Sequence, residues 1–140
     1  MYEKAVNLIC EFEGFRSKAY KCPAGIWTVG YGKTGKNVTS STTITEPEAR
    51  EFVRKQAVEI ANQITSLVKV PLNNNQICAL ISFVYNLGIG NFKSSTLLKK
   101  LNQQDYVEAG NQFLRWDKCN GLPLAGLTKR RQAEKKLFNS

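Results

Sequence analysis

Apolar side chains recur every three or four residues through most of this chain, except in a short stretch near its start. At residues 2–13, Val6, Ile9, Cys10 and Glu13 fall on one face of a helix, so the Glu13 carboxylate rides on the inward stripe. Gly14 then ends the helix, and Glu11 lies nearly opposite, on the solvated side. From Ser17 to Thr34 the period shortens. Ala19-Tyr20, then Ile26 to Val29 with Tyr31, are strand-like runs divided by Cys22-Pro23-Ala24-Gly25, which predicts a small antiparallel sheet with tight turns. Gly30 and Gly32 permit close backbone approach or positive φ in that sheet. The polar residues 35–43 read as a loop or a third edge strand.

Helical spacing then takes over. Thr45 and Glu48 form a capping box at the head of a helix reaching about Leu67, with Ala49, Phe52, Val53, Ala57, Ile60, Ala61 and Ile64 on its apolar side. At about 1.5 Å per residue it is long enough to join two lobes. After Pro71, Asn73 or Asn74 caps a helix that is apolar on nearly all sides from Ile77 to Tyr85, which makes it central. Gly88 and Gly90 read as a flexible turn. Ser94 or Ser95 opens a short helix through Leu101, and another is predicted from about Gln104 to Trp116. Residues 117–126 read as irregular, and Thr128 caps a last helix carrying Lys129, Arg130, Arg131, Lys135 and Lys136. The pattern is an α+β arrangement, a small sheet in the first quarter and helices elsewhere.

Composition narrows what such a fold can do. The 140 residues suit one domain or two small lobes sharing a helix, and 42% apolar with 22% charged residues describe an ordinary globular chain. No run of about 18 apolar residues is present to span a membrane. The acids Glu3, Glu11 and Glu13 break up the N-terminus, so it is not a secretory signal. A net charge of +9 favours a polyanionic partner: nucleic acid, an anionic membrane surface or an acidic wall polymer. Cys10, Cys22, Cys78 and Cys119 are scattered and the chain has no histidine, so neither a metal centre nor any other cofactor is expected. Cys10 and Cys78 lie in apolar helical patterns, where a free thiol acts as a small hydrophobe.

The candidate chemistry is glycoside hydrolysis, which needs a protonated carboxyl and a second group that manages water or the developing positive charge. Glu13 suits the first role, because neighbouring Phe12 and Phe15 would strip it of water and the C-terminal end of its helix disfavours negative charge. The alternative is a partly exposed Glu13 paired to an arginine. No Asp or Glu lies between Glu13 and Glu46, which leaves Cys22 and Thr28 for the second role. Lys21 or Lys33 would promote the Cys22 thiolate. Structural readings of both stay open: Cys22 as an idle turn residue, Thr28 as a residue suited to strands.

Taken together, Glu13-Gly14, Ala19-Tyr20, Gly25, the run Thr28 to Gly32 with Thr34, the run Ser82 to Gly88, Ser95 to Leu98, Phe113 to Trp116, Gly126-Leu127 and Arg130-Arg131 resemble the phage-type lysozymes. These residues span nearly the whole chain in the family's order, and the resemblance is nearest to the lambdoid branch. It implies a lysozyme-like domain with an N-terminal lobe at about 12–45, a linking helix at about 46–67 and a helical lobe at about 72–140, on which helix 2–13 packs. It further implies a muramidase, an endolysin that cleaves the β-1,4 bond between N-acetylmuramic acid and N-acetylglucosamine in host lysis. On the resemblance Glu13 is the general acid, Cys22 stands where the family usually has Asp, and Thr28 helps to hold the attacking water. Tyr85 and Asn86 match positions along the sugar cleft, and Tyr31, Lys33 and Thr34 fall in the adjoining glycine-rich run. Two departures stand out: Cys22 in place of Asp, and Lys33 where histidine is common. The family expectation for stereochemistry is inversion.

The implied partner is peptidoglycan, met by a monomer with no nucleic acid and no stable membrane insertion. Synthesis in the bacterial cytoplasm and release through a separate membrane pore follow from the same resemblance. Three rivals remain at this stage: a basic nucleic-acid-binding domain built on the 129–136 cluster, a lysozyme fold that binds wall without cutting it, and membrane damage by the last helix.

Overall fold

The computed structural model describes all 140 residues, Met1–Ser140. Helix α1 (Glu3–Glu13) buries Ala5, Val6, Ile9 and Cys10 and stops at Gly14, whose φ of +74° suits a residue without a Cβ. Strands β1 (Arg16–Lys21) and β2 (Trp27–Gly30) pair antiparallel, with Tyr20 opposite Thr28 and Lys21 opposite Trp27. Beyond β2 the chain reverses within five residues. Val29 and Lys33 exchange backbone hydrogen bonds of 2.9 and 2.8 Å across Gly30 and Gly32, which have φ of +66° and +89°. Residues 35–43 form no third strand; Lys18 and Thr43 make a single bridge.

Helix α2 (Glu46–Leu67) starts with the expected capping box, Thr45 accepting from the Glu48 N–H and Glu48 from the Thr45 N–H. It leads into α3 (Asn74–Leu87), capped by Asn73 and buried continuously from Cys78 to Val84. The hydrophobicity on all sides of α3 has a direct cause: α1, α2 and α7 pack around it. The core cluster runs from α1 through α3 to Phe92, Leu97, Leu101, Phe113 and Phe138.

Four expectations change. The glycines at 88 and 90 open a short helix, α4 (Ile89–Lys93), since Gly88 at φ +89° turns the chain and Phe92 is drawn into the core. Helix α5 (Thr96–Asn102) is capped by Ser95 as foreseen. The helix predicted over 104–116 is shorter, because Asp105 caps α6 at Tyr106–Gln112 and a 3-10 turn, Phe113–Arg115, follows. Residues 117–126 are not wholly irregular: β3 (Lys118–Cys119) and β4 (Leu122–Pro123) pair across Asn120-Gly121, both at positive φ. The last helix, α7 (Ala125–Phe138), begins before Thr128. That hydroxyl serves instead as a donor to Asp117, at 2.8 Å.

Candidate active site

The end of α1, the β2 reversal, the end of α3 and the start of α7 meet around the Glu13 carboxylate. Its Oε2 accepts from Arg130 Nη1 at 2.6 Å. Its Oε1 takes no hydrogen bond from the chain and faces Gly32, where a Cβ would stand 3.1 Å away. The Tyr85 hydroxyl lies 4.0 Å from the same position and donates to the Tyr31 carbonyl at 2.6 Å, tying α3 to the reversal. Burial, and then the negative charge of Glu13, push the Tyr85 phenol well above its ordinary range, so it stays a donor.

Two hollows adjoin this carboxylate. The first, about 410 Å³, runs between the reversal and helices α2 and α3, lined by Gly32, Thr34, Phe52, Gln56, Val84 and Tyr85 among others. The second, about 430 Å³, is lined by Phe12, Glu13, Asn86, Leu124, Leu127 and Arg130 among others. Glu13 lines the second hollow and meets the first at Gly32, which its Oε1 faces, while its Oε2 is held by Arg130 of the second. The Asn86 side-chain oxygen is buried in the second hollow and accepts no hydrogen bond within the chain.

Of the residues singled out in the sequence, the structure groups Thr34 with Tyr85, and Asn86 with Glu13. Cys22 and Thr28 form a pair of their own at the β1–β2 turn. Thr28 is buried and its hydroxyl hydrogen-bonds to the Ile26 carbonyl at 3.0 Å. The Cys22 thiol is held below its ordinary range, first by the backbone N–H of Ile26, then by that of Ala24, with a further contribution from the Thr28 hydroxyl. The expected source of that thiolate bias is thus corrected. Lys21 lies over the Trp27 ring at 5.4 Å and Lys33 over Phe52 at 5.1 Å, both occupied by aromatic faces. None of Cys22, Thr28, Tyr31 and Lys33 lines the two hollows. The Tyr31 hydroxyl instead donates to Glu46 at 3.0 Å, and burial with that contact raises its phenol to about 12.

The sequence left open whether Glu13 sits among apolar rings or against an arginine, and the structure shows the arginine. Arg130 and Arg131 belong to the 129–136 basic cluster, yet their side chains are 3% and 0% exposed, so they offer no surface to a polyanion. Glu134, four residues after Arg130, is buried with them and is not among the residues singled out from the sequence. The signal was present as opposite charges at helical spacings of three and four. No helix is long and apolar enough to cross a membrane.

Comparison with known proteins fits this geometry. Residues 10–134 match the family model described as phage lysozyme. An endolysin of Acyrthosiphon pisum secondary endosymbiont phage 1 is 47% identical over 142 residues, covering 99% of this chain and 97% of that protein. Among solved structures, the muramidase domain of SpmX from Asticaccaulis excentricus superposes with a TM-score of 0.91 at 35% identity, covering 98% of this chain and 95% of that one. A point mutant of P22 lysozyme superposes with a TM-score of 0.87 at 38% identity, covering 98% of this chain and 96% of that one.

Proposed function

Starting from the fact that the chain belongs to the phage lysozyme family and is a glycoside hydrolase acting on peptidoglycan, we propose that it is a muramidase with Glu13 as its general acid. The bond cleaved is the β-1,4 link between N-acetylmuramic acid and N-acetylglucosamine. The observation that carries this reading is that Glu13 lines one hollow and faces, at Gly32, a residue of another, with Oε1 free of any hydrogen bond from the chain. A glycan strand laid through both hollows brings a bridging oxygen to Oε1, while Arg130 fixes the other carboxylate oxygen.

The chemistry then divides between two groups. Glu13 donates its proton to the glycosidic oxygen as the bond to the anomeric carbon breaks. On the opposite face a water held by the Thr28 hydroxyl and Cys22 attacks that carbon, giving inversion, and the water's proton passes to the Cys22 thiolate. Cys22 stands where the family usually has Asp, and the turn's N–H groups favour the negative sulfur that this role needs. Tyr85, Asn86 and Thr34 line the sugar path. Tyr31 and Lys33 act as supports, Tyr31 by bracing the reversal and Lys33 by closing it onto Phe52.

The net charge of +9 holds the protein to anionic wall, with no nucleic acid required. We place it as a monomer that threads the glycan, made in the host cytoplasm and released through a separate pore. Muropeptide release from purified wall by the wild-type protein, Glu13→Gln and Cys22→Ala decides the case. Release by wild type and its loss in Glu13→Gln support the reading. Full activity in Glu13→Gln overturns it.

A further inference from the structure

Four buried or half-buried charges form one cluster across the base of α7: Glu13, Arg130, Arg131 and Glu134. Arg130 sits between two carboxylates. Its Nη1 donates to Glu13 at 2.6 Å, its Nε to Glu134 at 3.3 Å, and its Nη2 to the Ser82 carbonyl at 3.1 Å. Glu134 is wholly buried, and its Oε2 also accepts from the Ser82 hydroxyl at 2.6 Å and from Arg131 Nη2 at 3.1 Å. Its Oε1 lies 2.7 Å from Arg131 Nε without a directed hydrogen bond, so that contact is Coulombic.

Every nitrogen facing Glu134 is a donor, which leaves the carboxylate as the form that fits. Burial alone pushes its carboxyl upward, and the two guanidiniums pull the other way. Arg131 has no opening to water either; it lies over the Phe83 ring at 5.2 Å. With Glu13 ionised, two arginines face two glutamates and the cluster is neutral; with Glu13 protonated, as a proton donor must be, it carries one positive charge. An ordinary structural ion pair would need only Arg131 and Glu134. Here the second carboxylate also grips the arginine that holds Glu13.

We propose that Glu134 is a positioning residue for the reaction: by anchoring Arg130 and offsetting Arg131, it fixes the Glu13 carboxylate and sets how readily that group keeps its proton. This rests on the reading of Glu13 as general acid. The groups that face Glu13 are Arg130, with Arg131 behind it, on α7 and the Tyr85 phenol on α3. Those that face Glu134 are Arg130, Arg131 and the Ser82 hydroxyl.

The test uses two single variants of opposite charge effect. Glu134→Gln leaves the cluster one unit positive and favours ionised Glu13, so the alkaline limb of the rate of wall hydrolysis moves down by about one pH unit. Arg131→Gln leaves it one unit negative and moves that limb up by a similar amount. The double variant is neutral again and returns the limb towards the wild-type position. The same directions are read from the carboxyl 13C titration of Glu13, assigned by comparison with Glu13→Gln. Limbs that stay fixed, or move the same way in both single variants while only the melting temperature falls, overturn the proposal. If Glu134→Gln does not fold, Arg131→Gln and the double variant decide by the same criterion. If Glu13→Gln is active while the 13C shifts appear as described, the general-acid reading fails and the charge coupling stands.

Discussion

Gly32 closes on Glu13 so tightly that a Cβ there would stand 3.1 Å from Oε1. The reversal between Val29 and Lys33 brings Gly32 to this position. Gly32 takes φ +89°, a conformation that other residues adopt only with strain. Gly32→Ala therefore meets two costs, the backbone strain and a methyl group against the carboxylate oxygen that faces the cleft. The expected outcome is roughly 1–3 kcal/mol of lost stability and a loss of wall-clearing rate larger than the stability change explains. Chemical denaturation paired with turbidity clearing at a temperature where both proteins are folded checks it.

Cys22 sets a second expectation through pH. Its thiol is held below the ordinary range by N–H donors of its own turn, so the thiolate gains at the acid end of the thiol range. As pH falls below that point the sulfur becomes neutral and the water loses its proton acceptor. Cys22→Asp supplies a carboxylate that stays ionised down to about pH 4. The variant should therefore match or exceed the wild-type rate near neutrality and extend activity to more acid pH. Loss of an electrostatic group at such a site costs roughly two to three orders of magnitude, so Cys22→Ala should fall far below both. A sharp fall in Cys22→Asp would instead indicate a role peculiar to sulfur. The pH–rate profiles of the three proteins on one wall preparation give the answer.

How much of this could be read in the chain differs by element. Local rules carried far. The capping box at Thr45, the uniformly apolar Ile77–Tyr85 run and the stop at Gly14 each depend on neighbours in sequence, and each is realised. Tertiary context decided the rest. Gly88 is the turn that the sequence suggests, but Gly90 lies inside α4, because that five-residue helix is held by burial of Phe92 rather than by propensity. Arg130 and Arg131 stood in the basic 129–136 cluster; Glu134 at helical spacing accounts for part of their burial, while the partner that ties Arg130 to the site, Glu13, lies 117 positions away in sequence. That Glu13 lies beside Tyr85 and Asn86 is consistent with the order of residues in the sequence; the charge balance around it was not visible there.

Tyr31 offers a pH-dependent test of stability. Its hydroxyl donates to Glu46, and its phenol is raised from 10.0 to about 12. The folded state thus holds that proton more tightly than the unfolded chain does. The resulting stability is fully present below pH 10, where both states are protonated. It is lost as pH rises from 10 through about 12. Tyr31→Phe removes the hydrogen bond at a cost of about 1 kcal/mol near pH 8. The gap between wild type and variant should narrow above pH 10, close about one pH unit higher, and reverse in sign before about 12, since a shift of this size outweighs a single hydrogen bond. Urea midpoints for the pair across that range measure the narrowing directly; the lysines titrate equally in both and cancel. A gap that stays constant would mean that the proton on Tyr31 contributes nothing.

Arg130→Lys is the most demanding substitution, because it keeps the charge and removes only the geometry. The guanidinium reaches three separate partners from three nitrogens: Glu13, Glu134 and the Ser82 carbonyl. A lysine has one nitrogen on a flexible stem and cannot span them. Whichever carboxylate it chooses, the other loses the Arg130 contact, and buried Glu134 then keeps only Ser82 and Arg131. Breaking a buried pair in this way costs about 3–5 kcal/mol, here reduced where Arg131 still holds Glu134. The expected result is a loss near the lower end of that range, together with a fall in hydrolysis beyond what unfolding accounts for, since Glu13 Oε2 is no longer fixed. Denaturation midpoints and the rate on soluble muropeptides, measured below the new melting temperature, separate the two effects. A variant with wild-type stability would show that the three-way contact of Arg130 contributes no more than its charge.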